Sequence, residues 1–365
     1  MNRRLLVVLC VVFVVLALYL FAMPVPVDPV AWQAPPNPGY EGVFAVNQRL
    51  KGIEELPIGD TYGPEDVAVD SMGRIYAATH NGTIVRLEPD GSGYEVWANT
   101  GGRPLGIEFD LQGNLIVADG FKGLLSIDTK GNVTVLADEA DGIPIKYTDD
   151  VDVAKDGKIY FSDASTKFRA QEFGGTYEAS LLDLLEHGRY GRLLVYDPAT
   201  KLATTVLNGL SFANGVAVSH DQKSVLVVET GEYRVLRFWL DGPKKGQREQ
   251  FGPVFPSFPD NIDAGLNGRY WVALVAPRNK MLDKLSGRPS LRKIVQRLPV
   301  SWRPKAEPYG HIIALDNAGN VVEDLQDPDG SYPINTSITE TEDYLYLGSL
   351  FTPVLGRLSK ERAGL

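Results

Sequence analysis

RPLGIEFDLQGNLIVADGFKGLLSIDTKG, residues 103–131, decides the architecture of this chain. Its apolar runs IEF, LIVA and LLSI are short and rich in β-branched residues. Gly, Asn and Asp turn residues separate them, which reads as successive hairpin-linked strands. The same order appears just before it, in GPEDVAVDSMGRIYAATHNGTIVRLEPDG (63–91). It returns in YTDDVDVAKDGKIYFSDAS (147–165), resumed by GRLLVYDPATKLATTVL (191–207), and in FANGVAVSHDQKSVLVVETGEYRVLRFWLDG (212–242). A fifth copy is FPDNIDAGLNGRYWVAL (258–274) with GHIIALDNAGNVVEDL (310–325), and a sixth is YPINTSITETEDYLYLGSLFTPVLGRL (332–358). No copy can bury both faces of its strands alone. A repeat of about 40 residues carrying up to four strands means propeller blades. Six copies predict an all-β, six-bladed β-propeller over residues 39–365. The strand around Val43–Leu50 is expected to complete the last blade.

Composition narrows the function. The net charge of −10 argues against nucleic acid, which would require a basic face. The single cysteine, Cys10, lies in an apolar run, so the globular part has neither disulfide nor thiolate metal site. His80, His187, His220 and His311 form no HExxH pattern. Residues 5–23 carry no charge and would span about 28 Å as a helix, enough to cross a bilayer core. Arg3 and Arg4 precede the run, which predicts a cytoplasmic N-terminus at residues 1–4 and a propeller on the extracytoplasmic side. A cleaved signal peptide is the competing reading. Residues 24–38 are Pro-rich and read as a stiff spacer, with Trp32 near the interface.

Two inserts interrupt the repeat. EASLLDLLEHG (178–188) has Leu181, Leu184 and Leu185 at helical spacing, and Arg278–Arg303 carries Leu291, Ile294, Val295 and Leu298 as an apolar stripe among basic residues. They read as lids over the channel mouth, as packing against the propeller side, or, for the second, as a membrane-surface helix.

The repeat also places oxygen donors in register. The position two before the first strand's leading hydrophobic residue is Glu65, Leu105, Asp149, Asn214, Asp260 and Asn335 in successive copies. First strands line the axis of a propeller, so these residues face one another. Acids crowded in a narrow channel repel unless a cation joins them. Hard oxygen donors without Cys or His select calcium or magnesium, and the Asp, Glu and Asn mixture suits calcium. Glu65, Asp149, Asn214, Asp260 and Asn261 are the candidate ligands. The following positions include Asp66 and Asp150, candidates for a second ion deeper in the channel. Turn propensity alone could explain any one of these residues. If the metal is catalytic, Asp260 or Asp149 is the candidate base or nucleophile.

FANGVAVSHDQKSVLVVET, FPDNI, GRPLGIEFDLQGNLIVADGFKGLL and DGKIYFSDAST resemble the strictosidine synthase-like family, and more distantly the paraoxonases and gluconolactonases. The resemblance covers nearly everything from about Pro38 onward. It implies a six-bladed propeller with calcium in its channel, held by Glu65, Asp149, Asn214, Asp260 and Asn261, with Asp66 and Asp150 at a deeper ion. The position of a paraoxonase histidine reads Leu105, and its companion strand carries Asp119. The position of the strictosidine synthase glutamate falls near Pro333. The resemblance therefore implies calcium-dependent hydrolysis of a small-molecule ester or lactone rather than a histidine-dyad reaction. A non-enzymatic, calcium-pinned binding propeller and an amine–aldehyde condensing enzyme are the alternatives. A deep, open pocket over the ring favours an enzyme; a plugged mouth favours a binding protein.

Overall fold

The computed structural model describes residues 3–365. Six four-stranded antiparallel sheets follow one another along the chain. Their innermost strands are Asp66–Val69, Pro104–Phe109, Thr148–Val153, Ala213–Val218, Ser257–Ala264 and Asn335–Glu340, blades 1 to 6 in order. Each matches one copy of the repeat. The apolar residues facing out of each sheet meet those of the next blade. Ala68 and Tyr76 of blade 1 pack with Ile107 and Val117 of blade 2. Ile116 and Ala118 pack with Val151 and Phe161 of blade 3, whose Tyr160 and Leu193 meet Val216 and Val227. The sequence continues through Leu226 against Val272, Trp271 against Leu345, and Tyr346 against Val67. The core is thus distributed between blades, and burying these faces is the main stabilising term.

Ring closure differs from the expected register. Glu54–Pro57, not Val43–Leu50, is the outer strand of blade 6, paired with Val354–Arg357. Gly42 and Gly52 take positive φ of 60° and 79°, breaking extended structure on either side of the expected strand. Gly42–Phe44 forms a 3-10 turn instead. Phe44 is buried between blades 4 and 5 and Leu50 between blades 5 and 6, and Asn47 donates to Asp324 Oδ1 at 2.8 Å. Hydroxyls complete the seam: Thr336 Oγ1 and Ser337 Oγ both donate to Glu65 O, at 2.6 and 2.9 Å.

The helices that bear on the site lie outside the blades. The first, α1, is Arg3–Ala22, an apolar span long enough to cross a membrane. The first insert forms α2, Thr176–Glu186; the second forms α3, Lys280–Leu285, and α4, Pro289–Arg297.

Residues 24–38 are not a solvated spacer. Val27 is buried with Leu105, Tyr147 and Phe212. Asp28 N donates to Glu186 Oε2 at 2.7 Å, and Val30 N to Glu186 O at 2.8 Å. Trp32 stacks on His187 with ring centroids 3.9 Å apart. Arg278 reaches Pro35 O at 2.7 Å. Proline removes donors but leaves carbonyls free, and arginines of the second insert use carbonyls of this segment, Arg278 that of Pro35 and Arg292 that of Val30.

Candidate metal centre and cavity

Every blade from 2 to 6 has a register shift at the top of its first strand. The shifts fall between Pro104 and Ile107, Thr148 and Val151, Ala213 and Val216, Pro259 and Ile262, and Asn335 and Ile338. A bulge leaves two residues unpaired and turns their side chains off the regular alternation. In blades 2 to 5 those two residues are the pairs aligned from sequence: Leu105-Gly106, Asp149-Asp150, Asn214-Gly215 and Asp260-Asn261. In blade 6 they are Thr336-Ser337, one position beyond Asn335. Two levels of side chains result, one above the other in the channel.

The upper level brings together Glu65, Asp149, Asn214 and Asp260, with Leu105, at the floor of one cavity. Asn214 Nδ2 donates to Asp260 Oδ1. Asn261 Nδ2 donates to Glu65 Oε1 at 3.3 Å. Three oxygens of this group are buried without a protein partner: Glu65 Oε2, Asn214 Oδ1 and Asn261 Oδ1. Burial pushes the carboxyl of Glu65 well up, and neighbouring Asp260, Asp66 and Asp149 push it further. Burial and then Asp260 do the same to Asp149. Asp260 is raised to about 7 by burial, tempered by the Asn214 hydrogen bond.

These observations fit a hard cation. Lone oxygens and crowded carboxyls both gain from a positive charge among them, and the donors are all oxygen. Among the described residues, no group of three or more His, Cys, Asp or Glu is gathered so that it could hold a metal ion by itself. A donor set at this level would therefore need the Asn214 and Asn261 amide oxygens, Asn214 standing between Asp149 and Asp260 around the ring. Asn335 does not join it. Its Oδ1 accepts from His311 N at 2.9 Å and its Nδ2 donates to Tyr332 O at 3.2 Å, a structural turn role.

The lower level holds Asp66 and Asp150. Each pins neighbouring blades together: Asp66 Oδ2 accepts from Ile107 N at 2.8 Å, and Asp150 Oδ2 from Val216 N at 2.7 Å. Both border a pocket of about 20 Å³ shared with Asn261, Glu108, Asp152 and Asp263, room for one water-sized species. Glycine at Gly106 is dictated by this crowding, since a Cβ there would lie 2.2 Å from Asp150 Oδ1.

Sequence reading missed Arg103. Its guanidinium is buried near Glu65 and Asp149 with only Nη1 bonded, to Pro104 O at 2.8 Å. Burial lowers its pKa while the Glu65, Asp119 and Asp149 charges raise it, so it offsets part of the ring's negative charge. Asp119 is structural: its Oδ1 accepts from Arg103, Phe121 and Lys122 N. His80 and His220 are half-buried; each packs its ring on a tyrosine, Tyr62 and Tyr270 respectively. Ser257, His311 and Asp324 form a serine–histidine–aspartate row, with His311 3.4 Å from Ser257 Oγ and 3.1 Å from Asp324 Oδ2. Ser257 and His311 are both 0% exposed, so no substrate reaches them.

Above the ring opens a cavity of about 880 Å³. Both inserts roof it, with Leu181, Leu184 and Leu185 from α2 and Val295 from α4; Phe212 and Phe258 form part of its wall. The packing bears out the lid reading for both inserts. Tyr147 ties lid to ring, donating from its hydroxyl to Thr176 O at 2.8 Å.

A closed ring of six four-stranded blades defines a class of propeller also seen in solved structures. A gluconolactonase from Xanthomonas campestris superposes with a TM-score of 0.62 at 17% identity, covering 93% of this chain and 98% of that one. Regucalcin from Agrobacterium tumefaciens, described as a calcium-binding protein, gives a TM-score of 0.58 at 14% identity over 84% of this chain and 93% of its own. These likenesses establish the shared fold. Residues 149–243 match the strictosidine synthase family and residues 42–87 the N-terminal region of strictosidine synthase-like proteins. Protein STRICTOSIDINE SYNTHASE-LIKE 10 of Arabidopsis thaliana is 34% identical over 80% of this chain and 84% of its own length. The adipocyte plasma membrane-associated protein of Bos taurus is 34% identical over 94% of this chain and 86% of its own. The chain belongs to the strictosidine synthase-like family.

Proposed function

We propose that this protein is a calcium-dependent hydrolase of esters or lactones, tethered by α1 with its propeller on the extracytoplasmic side. The observation that carries the reading is the cavity: its floor is the oxygen ring, and its walls are mostly apolar. A plugged mouth would have spoken for a binding propeller; a roofed pocket of about 880 Å³ has the size of a small-molecule site.

Glu65, Asp149, Asn214, Asp260 and Asn261 would hold the ion, and Asp66 and Asp150, with Asn261 beside them, a second. An ion held there would supply Lewis-acid polarisation of the substrate carbonyl. Asp260, oriented by Asn214 Nδ2, serves as base, with Asp149 across the ring as the alternative. The carboxylate takes a proton from water as the hydroxyl joins the acyl carbon. The acyl–oxygen bond then breaks, and the proton passes to the leaving oxygen. Phe212 and Phe258 hold the organic part, and the lid limits bulk water. Orientation follows from Arg3 and Arg4, which keep the N-terminus in the cytoplasm.

The test is turnover of aryl esters and lactones with and without chelator, in the natural protein and in Asp260→Asn. Loss of turnover on both treatments supports the reading; full activity in Asp260→Asn removes Asp260 from the chemistry. The names of relatives also include strictosidine synthase, but the absence of a glutamate in DGSYPINTSIT weighs against condensation here.

A further inference from the structure

The second insert does more than roof the cavity: it grips the membrane span. Tyr19 OH, one turn inside α1, donates to Arg297 O at 2.7 Å. Arg297 in return donates to Met23 O and Leu20 O, at 2.6 and 2.9 Å. These are carbonyls that the end of α1 leaves without helical partners. The Arg297 backbone therefore lies at the depth of the last turn of α1, about 4.5 Å from its end by helical rise. Tyrosine, tryptophan and arginine at that depth are what the membrane interface favours.

Three residues beyond Arg297 the chain exposes large apolar groups. Val300 is 70% and Trp302 72% exposed. Exposed Lys280, Lys284, Arg288 and Lys305 surround them in sequence. From Arg278 to Lys305 there are nine Lys or Arg and one acid, Asp283, in a chain whose net charge is −10. A basic segment with protruding apolar tips, fixed at the end of a membrane span, matches an anionic lipid surface in charge and in chemistry. Val300 belongs to both features, because it also lines the cavity with Val295 and Arg303.

We propose that the Arg278–Lys305 segment is a second membrane contact, seated on anionic lipid, that sets the cavity mouth at the bilayer surface. The cavity then receives lipophilic esters or lactones from the membrane, their polar end reaching the ring and their apolar tail lying along Leu184, Leu185 and Val295. The substrate assignment rests on the hydrolase reading; the membrane contact does not.

α1 contains no tryptophan, so tryptophan fluorescence reports the insert and not the anchor. Trp32, Trp97, Trp239 and Trp271 are buried or half-buried within the propeller. The full chain is placed in vesicles of phosphatidylcholine and phosphatidylglycerol carrying nitroxide-labelled lipid. Quenching should be strongest with the label near the headgroups, and Trp302→Phe should lose most of it. Equal quenching of the natural protein and Trp302→Phe would overturn the contact. In the same vesicles, Trp302→Asp should lower turnover of a long-chain lactone several-fold and leave that of a short, water-soluble lactone unchanged. An equal effect on both would overturn membrane delivery. If the natural protein hydrolyses neither, the hydrolase reading and the substrate assignment fall together, while quenching still decides the contact.

Discussion

Asn214 gives its amide N–H to Asp260 and keeps its carbonyl oxygen, buried and without a protein partner, on the ring side. One amide thus fixes the orientation of a carboxylate from the next blade and retains a donor for a cation. Asn261 repeats the arrangement toward Glu65. Both bonds cross between blades, so the ring is pre-organised by the closure of the propeller rather than by any single loop.

Asp260→Asn should reduce ester or lactone turnover by at least about 100-fold, the usual scale for losing a positioned base. The propeller should remain folded, because the Asp260 side chain makes no blade-to-blade bond to a backbone group. Circular dichroism alongside initial rates checks both halves.

Gly106→Ala should destabilise the protein by about 2 kcal/mol, since the new methyl meets Asp150 Oδ1 at 2.2 Å and both flanking blades are close-packed. Asp150 would also be pushed off Val216 N. Thermal unfolding of the variant reads the loss, and an unchanged Tm would contradict the proposed packing of the channel.

Much of this was legible in the sequence and some was not. The six copies gave blade number and strand order because each blade needs the same alternation and the same turns. Register within the repeat picked out Glu65, Asp149, Asn214 and Asp260, since equivalent positions face one axis. Asn335 lies one position short of that register in the folded blade, and its amide is taken by His311 N and Tyr332 O, contacts that no local pattern announces. The bulges were hidden for a related reason: Asn214-Gly215 and Asp260-Asn261 read as turns, and Leu105-Gly106, Asp149-Asp150 and Thr336-Ser337 share no residue pattern with them. The closing strand was misplaced because Val43–Leu50 is more apolar than Glu54–Pro57. Apolarity there serves burial against blades 4, 5 and 6, whereas an outer strand needs mainly backbone pairing. Pro24–Pro38 looked like a spacer because its partners, Glu186, His187, Arg278 and Arg292, are over a hundred positions away.

The lid should carry a pH signature at Asp183. Burial raises its carboxyl to about 7, with Ser165 Oγ donating to it at 2.6 Å. An acid whose folded pKa exceeds its unfolded value of 3.8 favours the folded state at low pH. That contribution is lost as pH rises through about 7. Asp183→Asn removes the ionisation, so it should gain at least about 1 kcal/mol on the natural protein at pH 8 and little at pH 4, a tenfold change in proton affinity being worth about 1.4 kcal/mol. Melting curves at the two pH values check the sign.

Trp32→Ala should cost about 2 kcal/mol and loosen the lid, because the indole fills the space between His187 and Tyr233. A spacer residue would cost nothing measurable. Proteolysis between Pro24 and Pro38, slow in the natural protein, should become rapid in the variant.

The most direct measurement is calcium content and ester or lactone turnover of the purified full chain, before and after chelation. The account predicts bound calcium, turnover that disappears with chelator and returns on calcium addition, and a stability gain of about 2.7 kcal/mol at a hundredfold excess over Kd. Bound calcium without turnover on any ester or lactone would contradict the hydrolase, and no bound metal at all would contradict the reading of the ring itself.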